Sequence, residues 1–179
     1  MSTRENETEL ITSAQQGDQK AFEKLMIMHD RQILQLAFTL LGNLADAQDV
    51  YQDTFMRAFM KLDTFKFQSA FGTWLTRITI NLCFNRRRQK KIRKWLPLQE
   101  EQFSTDAQQT EVFLKQHVHR ALQKLSPLQH AAFTLKHMQG YKIKDIAEIL
   151  DRSPGTVKNA LFRATEKLQS ILGSYNTKE

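Results

Sequence analysis

Apolar residues recur along this chain with a helical period. Ala21-Phe22, Leu25-Met26 and Met28-His29 open a stripe that continues through Ile33, Leu36-Ala37 and Leu40-Leu41, three and four residues apart as one face of a helix requires. Gly42-Asn43 stops it. A second helix is predicted from Leu44 to Leu62, with Val50, Thr54, Ala58 and neighbouring Phe residues facing inward. Asp63 to Gly72 reads as a loop, and a further helix is predicted from Thr73 to Lys90. Four more are predicted near 112–124, 127–139, 142–150 and 154–171, while no βαβ alternation or useful period-2 run competes with them. Residues 96–111 lack sustained periodicity and are rich in Gln, Glu, Ser and Thr, as a flexible connection would be. The pattern predicts an all-α protein: two small helical domains, 1–94 and 112–179, joined by a linker over 95–111.

Composition agrees with helices. The 179 residues include 21 Leu against 4 Val, and Gly and Pro together number 9. Leu, Ile, Val and Phe make up 47 positions, enough to form a core. The single cysteine, Cys83, excludes an intramolecular disulfide framework and any Cys-rich zinc site, and it is expected to be a buried packing residue. No stretch approaches a membrane span, and the acidic, polar first residues differ from a signal peptide, so a soluble cytoplasmic protein is expected.

The net charge is +7, distributed as +3 over 1–91, −2 over 92–111 and +6 over 112–179. That C-terminal excess accompanies the spacing of a helix-turn-helix. Ile146 and Leu150 would line the inner face of its first helix, Ala147 would allow close approach, and Val157 and Leu161 would return the packing. Ser153 suits an N-cap and Pro154 the first turn of the second helix. Ser153, Gly155, Thr156, Lys158, Asn159, Phe162 and Arg163 then become candidates for holding phosphates and reading base edges in a major groove. A plain helical hairpin with solvated cations is the alternative. At the turn, Asp151 stands where glycine is common, at a position that often requires a positive φ.

In the first domain Asp46, Asp49 and Asp53 fall at i, i+3 and i+7, one acidic stripe that fits either helix-dipole complementarity or docking of a basic partner. Further on, seven rings (Phe55, Phe59, Phe65, Phe67, Phe71, Trp74 and Phe84) alternate with Arg57, Lys61, Lys66 and Arg77. Aromatics beside cations suit single-stranded nucleic acid, where rings stack on bases and cations follow the backbone. Phe55, Phe59 and Trp74 are expected in the core, and the loop rings Phe65, Phe67 and Phe71 are expected to be exposed. Seven of the nine residues from Arg86 to Lys94 are basic, beginning Arg86-Arg87-Arg88, a block that phosphate would screen. A nuclear-localisation tract or RNA-binding arm is the rival reading of that block.

The ordered set of motifs resembles the extracytoplasmic-function class of bacterial sigma factors, near its envelope-stress members. The matching stretches are Gly17-Asp-Gln-Lys-Ala-Phe22, Asp46-Ala-Gln-Asp-Val-Tyr-Gln-Asp-Thr-Phe55, Ser69 to Asn81, Leu125-Ser-Pro-Leu-Gln129, Asp145 to Leu150, and Gly155-Thr-Val-Lys158 through Ala164. The resemblance implies that the acidic helix, through Asp49, Gln52, Asp53 and Phe55 with Asp46 in its stripe, binds the clamp helices of the largest subunit of core RNA polymerase, with the flap as a further contact. It implies that the loop from Asp63 to Gly72 and the helix after it capture the melted minus-ten strand. Arg77 and Asn81 would then lie near a flipped base, with Trp74, Asn85 and Arg86 to Arg88 close by. The last helix would read the minus-thirty-five duplex of promoter DNA. An anti-sigma factor, often membrane-anchored, is an implied partner that could hold the protein at the membrane. No catalytic residue, cofactor or metal is implied. Two departures bear on promoter choice: Asn85 where many members have Asp, and Ala160 where a basic residue is frequent.

A conventional helix-turn-helix regulator with a sensing or dimerising N-terminal bundle is the second reading, and it would make the acidic stripe dispensable. An enzyme fits less well. His117 and His119 lie two apart on different sides of a helix, and His29, His130 and His137 have no companions at metal-site spacing.

Overall fold

The computed structural model describes residues 3–93 and 110–173. Every regular element among them is helical: α1 (Thr3–Gln15), α2 (Gln19–Leu41), α3 (Leu44–Met60), a 3-10 turn (Leu62–Thr64), α4 (Phe71–Arg93), α5 (Thr110–Gln123), α6 (Pro127–Phe133) continued by a π turn (Thr134–Met138), α7 (Ile143–Leu150) and α8 (Pro154–Gly173). The expected linker, 95–111, lies outside the described residues apart from the start of α5. α1 was not expected: its segment reads as an acidic tail, yet Ile11 and Ala14 carry it into the core. None of the described helices is long and apolar enough to cross a membrane.

Two compact units divide the chain, one of Met1–Phe38 with Asn43–Cys83, the other of Thr39–Gly42 with Phe84–Glu179. The junctions before and after α2 follow one scheme. α1 ends before Gly17 at φ +98°, and Asp18 then opens α2 by accepting the N–H groups of Lys20 and Ala21. The next helix ends before Gly42 at φ +73°, and Asn43 Oδ1 opens α3 by accepting the Asp46 N–H at 2.9 Å. Glycine supplies the left-handed turn that a side chain resists, and the Asx residue satisfies helix-start donors that would otherwise be orphaned. These turns fold α2 and α3 around a core that includes Leu25, Ile33, Phe55, Leu62, Phe65, Phe71 and Leu75. Each such large side chain contributes about 1.5–3 kcal/mol by leaving water.

The second unit is built on Ala121, Leu122, Leu125, Ala164 and Leu168, with Phe133, Ile171 and Leu172 packed against them. Its α6 starts at a reciprocal cap: Ser126 Oγ accepts the Gln129 N–H, and Gln129 Oε1 accepts the Ser126 N–H. Ile146 and Val157 are fully buried where α7 and α8 cross, with Ala147 and Leu150 beside them, as the spacing predicts. Asp151 makes the turn between them at φ +52°, the left-handed conformation that the sequence position calls for despite the side chain.

Candidate nucleic-acid and partner interfaces

On α8 the two faces separate cleanly. Val157, Ala160, Ala164 and Leu168 are buried, three and four residues apart, and Ser153, Gly155, Thr156, Lys158, Asn159, Phe162 and Arg163 are all exposed on the other side. Phe162 is 63% exposed, an aromatic ring that packing does not require. The start of this helix is fixed by Ser153 Oγ, which accepts the Thr156 N–H at 3.1 Å. The result is a rigid rod with two cations, an amide, hydroxyls and a ring on one side, the donors and apolar contacts that base edges and phosphates take. Every residue expected on this face is brought there. Glu166, one turn beyond Phe162, is exposed on the same side and went unnoticed in the sequence.

α4 carries a second stripe. Trp74, Arg77, Asn81, Asn85 and Arg88 fall at i, i+3, i+7, i+11 and i+14, and all but the half-buried Trp74 are exposed. Opposite them Leu75, Thr76, Thr79, Ile80, Leu82 and Cys83 are buried, which confirms the expected place of the cysteine. Arg86 and Arg87 leave the stripe. Both are half-buried, and the Arg87 guanidinium lies 3.3 Å from His130 Nδ1 and donates to the Gln123 carbonyl, within the second unit. A free cation at position 87, ready for DNA, is therefore not what forms.

The loop before α4 corrects the expected distribution of rings. Phe65 and Phe71 are buried, at 5% and 1% exposure, and only Phe67 projects, at 46%. Phe65 lies 5.5 Å from the Phe71 ring and 5.2 Å from that of Trp74, and the rings form one cluster under the loop. Conversely Phe59, expected inside, is exposed, with its ring edge-to-face against Phe22 at 5.1 Å. A position in a loop does not by itself solvate a ring, and Phe65 and Phe71 anchor this loop to the core.

α3 shows a similar redistribution. Asp49 and Gln52 are exposed and Asp53 half-exposed on one face, but Asp46 and Phe55 are buried, Phe55 with its ring 5.0 Å from Tyr51. Neither buried residue is available to a docking partner. The outer face also carries Met56, Phe59 and Met60, all exposed; Phe59 was expected inside, and Met56 and Met60, three and seven residues beyond Asp53, were not singled out in the sequence. Charge beside flexible apolar side chains is the chemistry of a protein-docking face.

Among the described residues no group of His, Cys, Asp and Glu is placed to hold a metal ion. His130 is fully buried on α6. Burial first, then the positive charges of Arg87 and His119, push its pKa down to about 3, and its Nε2 has no partner among the described residues. Burial lowers His119 as well.

Comparison with known proteins agrees with this arrangement. Residues 25–92 match the family model of Sigma-70 region 2, and residues 115–168 that of Sigma-70 region 4. The ECF RNA polymerase sigma factor SigM of Mycobacterium tuberculosis is 35% identical over 172 residues, spanning 96% of this chain and 87% of that protein. Among solved structures, CnrH in complex with the cytosolic domain of CnrY superposes with a TM-score of 0.74 at 25% identity, covering 94% of this chain and 98% of that one. The sigma factor RpoE of Bartonella quintana, solved with the anti-sigma factor NepR, gives 0.72 at 26% identity, covering 89% and 99%.

Proposed function

The chain belongs to the extracytoplasmic-function sigma factors of RNA polymerase, and from that premise we propose a residue-level division of its work in promoter-directed initiation. α3 grips the polymerase through Asp49, Gln52 and Asp53, with Met56, Phe59 and Met60 extending the contact. The loop at Phe67 and the α4 stripe of Trp74, Arg77, Asn81, Asn85 and Arg88 hold the melted minus-ten strand, a ring and amides taking bases while cations follow the backbone. Phe65 and Phe71 support that loop from below. α8 reads the minus-thirty-five duplex through Ser153, Gly155, Thr156, Lys158, Asn159, Phe162 and Arg163. Residues 1–94 and 112–179 are the two working parts, and 95–111 the linker.

The observation that carries this reading is the two-sided α8, with a wholly apolar inner face and every candidate reading residue exposed. Bond-making is left to the polymerase, so the protein acts as an initiation factor in the cytoplasm. An anti-sigma factor is its controlling partner, as the solved complex of RpoE with NepR supports.

Run-off transcription from a genomic fragment library, using purified core polymerase with and without the protein, tests this. New starts that share two upstream elements are expected. Binding to promoter duplex without assembly on core would instead favour a conventional helix-turn-helix regulator.

A further inference from the structure

Residues 65–70, between the 3-10 turn and α4, have no regular secondary structure, yet Phe67 within them stands at φ +56°. A bulky side chain in the left-handed region is costly, and the conformation persists only where its surroundings fix it. At the far end of the segment, the Ala70 carbonyl accepts the N–H groups of Thr73 and Trp74 as α4 begins. At the near end the restraint comes from α1. Gln15 Nε2 donates to the Leu62 carbonyl at 2.8 Å and to the Phe65 carbonyl at 2.9 Å. A primary amide has two N–H donors, so this one nitrogen reaches both carbonyls: it joins the Phe65 N–H on the Leu62 carbonyl and fixes the Phe65–Lys66 peptide plane, one residue ahead of Phe67.

The amide is itself held firmly. Ile11 and Ala14 bury one side of α1 in the same core as Leu62 and Phe65. Nearer the start of α1, Glu7 Oε1 lies 2.7 Å from His29 Nε2, and the His29 ring meets the edge of Phe71 at 5.6 Å. α1 thus reaches both anchors of the loop, one directly and one through His29. It lies ahead of residue 25, where the region 2 match begins.

We propose that Gln15 is a positioning residue, which sets the angle at which Phe67 leaves the surface and so the fit of the loop to single-stranded minus-ten DNA. This rests on the reading of that loop as a strand-binding element. The role belongs to N–H donation and not to bulk. Gln15→Glu keeps the size but points a carboxylate at two carbonyls, Gln15→Ala removes donors without repulsion, and Phe67→Ala reports on the loop itself.

The test uses holoenzyme assembled from core polymerase and the full chain. The probe is a single-stranded oligonucleotide carrying the non-template minus-ten bases of a promoter mapped by the run-off experiment, against the same oligonucleotide with those bases scrambled. Gln15→Glu is expected to reduce the preference for the mapped sequence about tenfold and Gln15→Ala somewhat less, with scrambled binding and core assembly unchanged. Full preference in Gln15→Glu, with loss in Phe67→Ala, would overturn the positioning role and leave the loop reading intact. Full preference in both would overturn the two together. A parallel loss of core assembly in both Gln15 variants would show that the residue only holds the fold, which also overturns the proposal.

Discussion

Ser153 Oγ accepts the backbone N–H of Thr156 at 3.1 Å and lies 2.9 Å from the Thr156 hydroxyl, so the residue that starts α8 also stands at the edge of its reading face. The two duties can be separated. Ser153→Ala removes the cap and is expected to cost about 1 kcal/mol of stability. Ser153→Asp keeps a capping acceptor and favours the helix N-terminus, but it places negative charge against phosphate. Urea denaturation should therefore show Ser153→Asp close to the parent and Ser153→Ala weakened, while minus-thirty-five duplex binding by the holoenzyme falls in Ser153→Asp.

Lys158 and Arg163 are exposed on that same face and have no structural duty on the buried side of α8. Replacing both by Ala is expected to abolish promoter-directed transcription while core assembly stays intact. If each neutralises a phosphate, the slope of log K against log salt becomes shallower by about 0.9 for each cation lost. Titration of promoter DNA at several salt concentrations gives that slope. Loss of core binding in the double variant would contradict the separation of roles.

The helices past residue 20 and the whole reading face of α8 were legible because both obey a 3.6-residue period that a sequence displays directly. The turn at Asp151 was only half legible: its place calls for a positive φ, but an aspartate there left a different turn open, and the structure settles it at φ +52°. Other features depend on tertiary context. α1 carries Leu10, Ile11 and Ala14 among polar residues, too few to declare a helix until the core of α2 and the 3-10 turn is there to receive them. Phe59 and Phe65 have the same chemistry, and which one is buried follows from the path of the chain after Met60, where the 3-10 turn directs Leu62 and Phe65 inward. Arg87 belongs to a basic block by composition, but its position on α4 turns it away from the stripe of Arg77 and Arg88.

His130 makes stability depend on pH. Its ordinary value is 6.5 and burial, with Arg87 and His119, brings it to about 3 in the folded protein. A depressed histidine favours the folded state fully above 6.5, and that contribution is lost as pH falls from 6.5 towards 3, because the unfolded chain takes up a proton that the folded one refuses. The expected loss is about 1.4 kcal/mol per pH unit in that window, so about 2 kcal/mol by pH 5. His130→Leu removes this slope. Urea denaturation of both proteins from pH 7.5 to 5 should show the difference between them shrinking or reversing as pH falls, and parallel curves would show that the imidazole is protonated in the folded state.

The outer face of α3 combines charge and apolar surface, and the two should act differently on assembly with core polymerase. Asp49→Ala with Asp53→Ala removes long-range attraction to a basic partner, an effect expected mainly in the association rate and weakened by salt. Met56→Ala with Met60→Ala removes apolar area from residues that are 58% and 73% exposed in the free protein, so folding stability should hardly change. If those side chains are covered by the polymerase, their loss should appear in the dissociation rate, with affinity reduced about tenfold and little dependence on salt. Surface-plasmon or fluorescence kinetics at two ionic strengths measures both. Unchanged dissociation in the methionine variant would confine the contact to Asp49, Gln52 and Asp53, and unchanged assembly in both would remove α3 as the docking face.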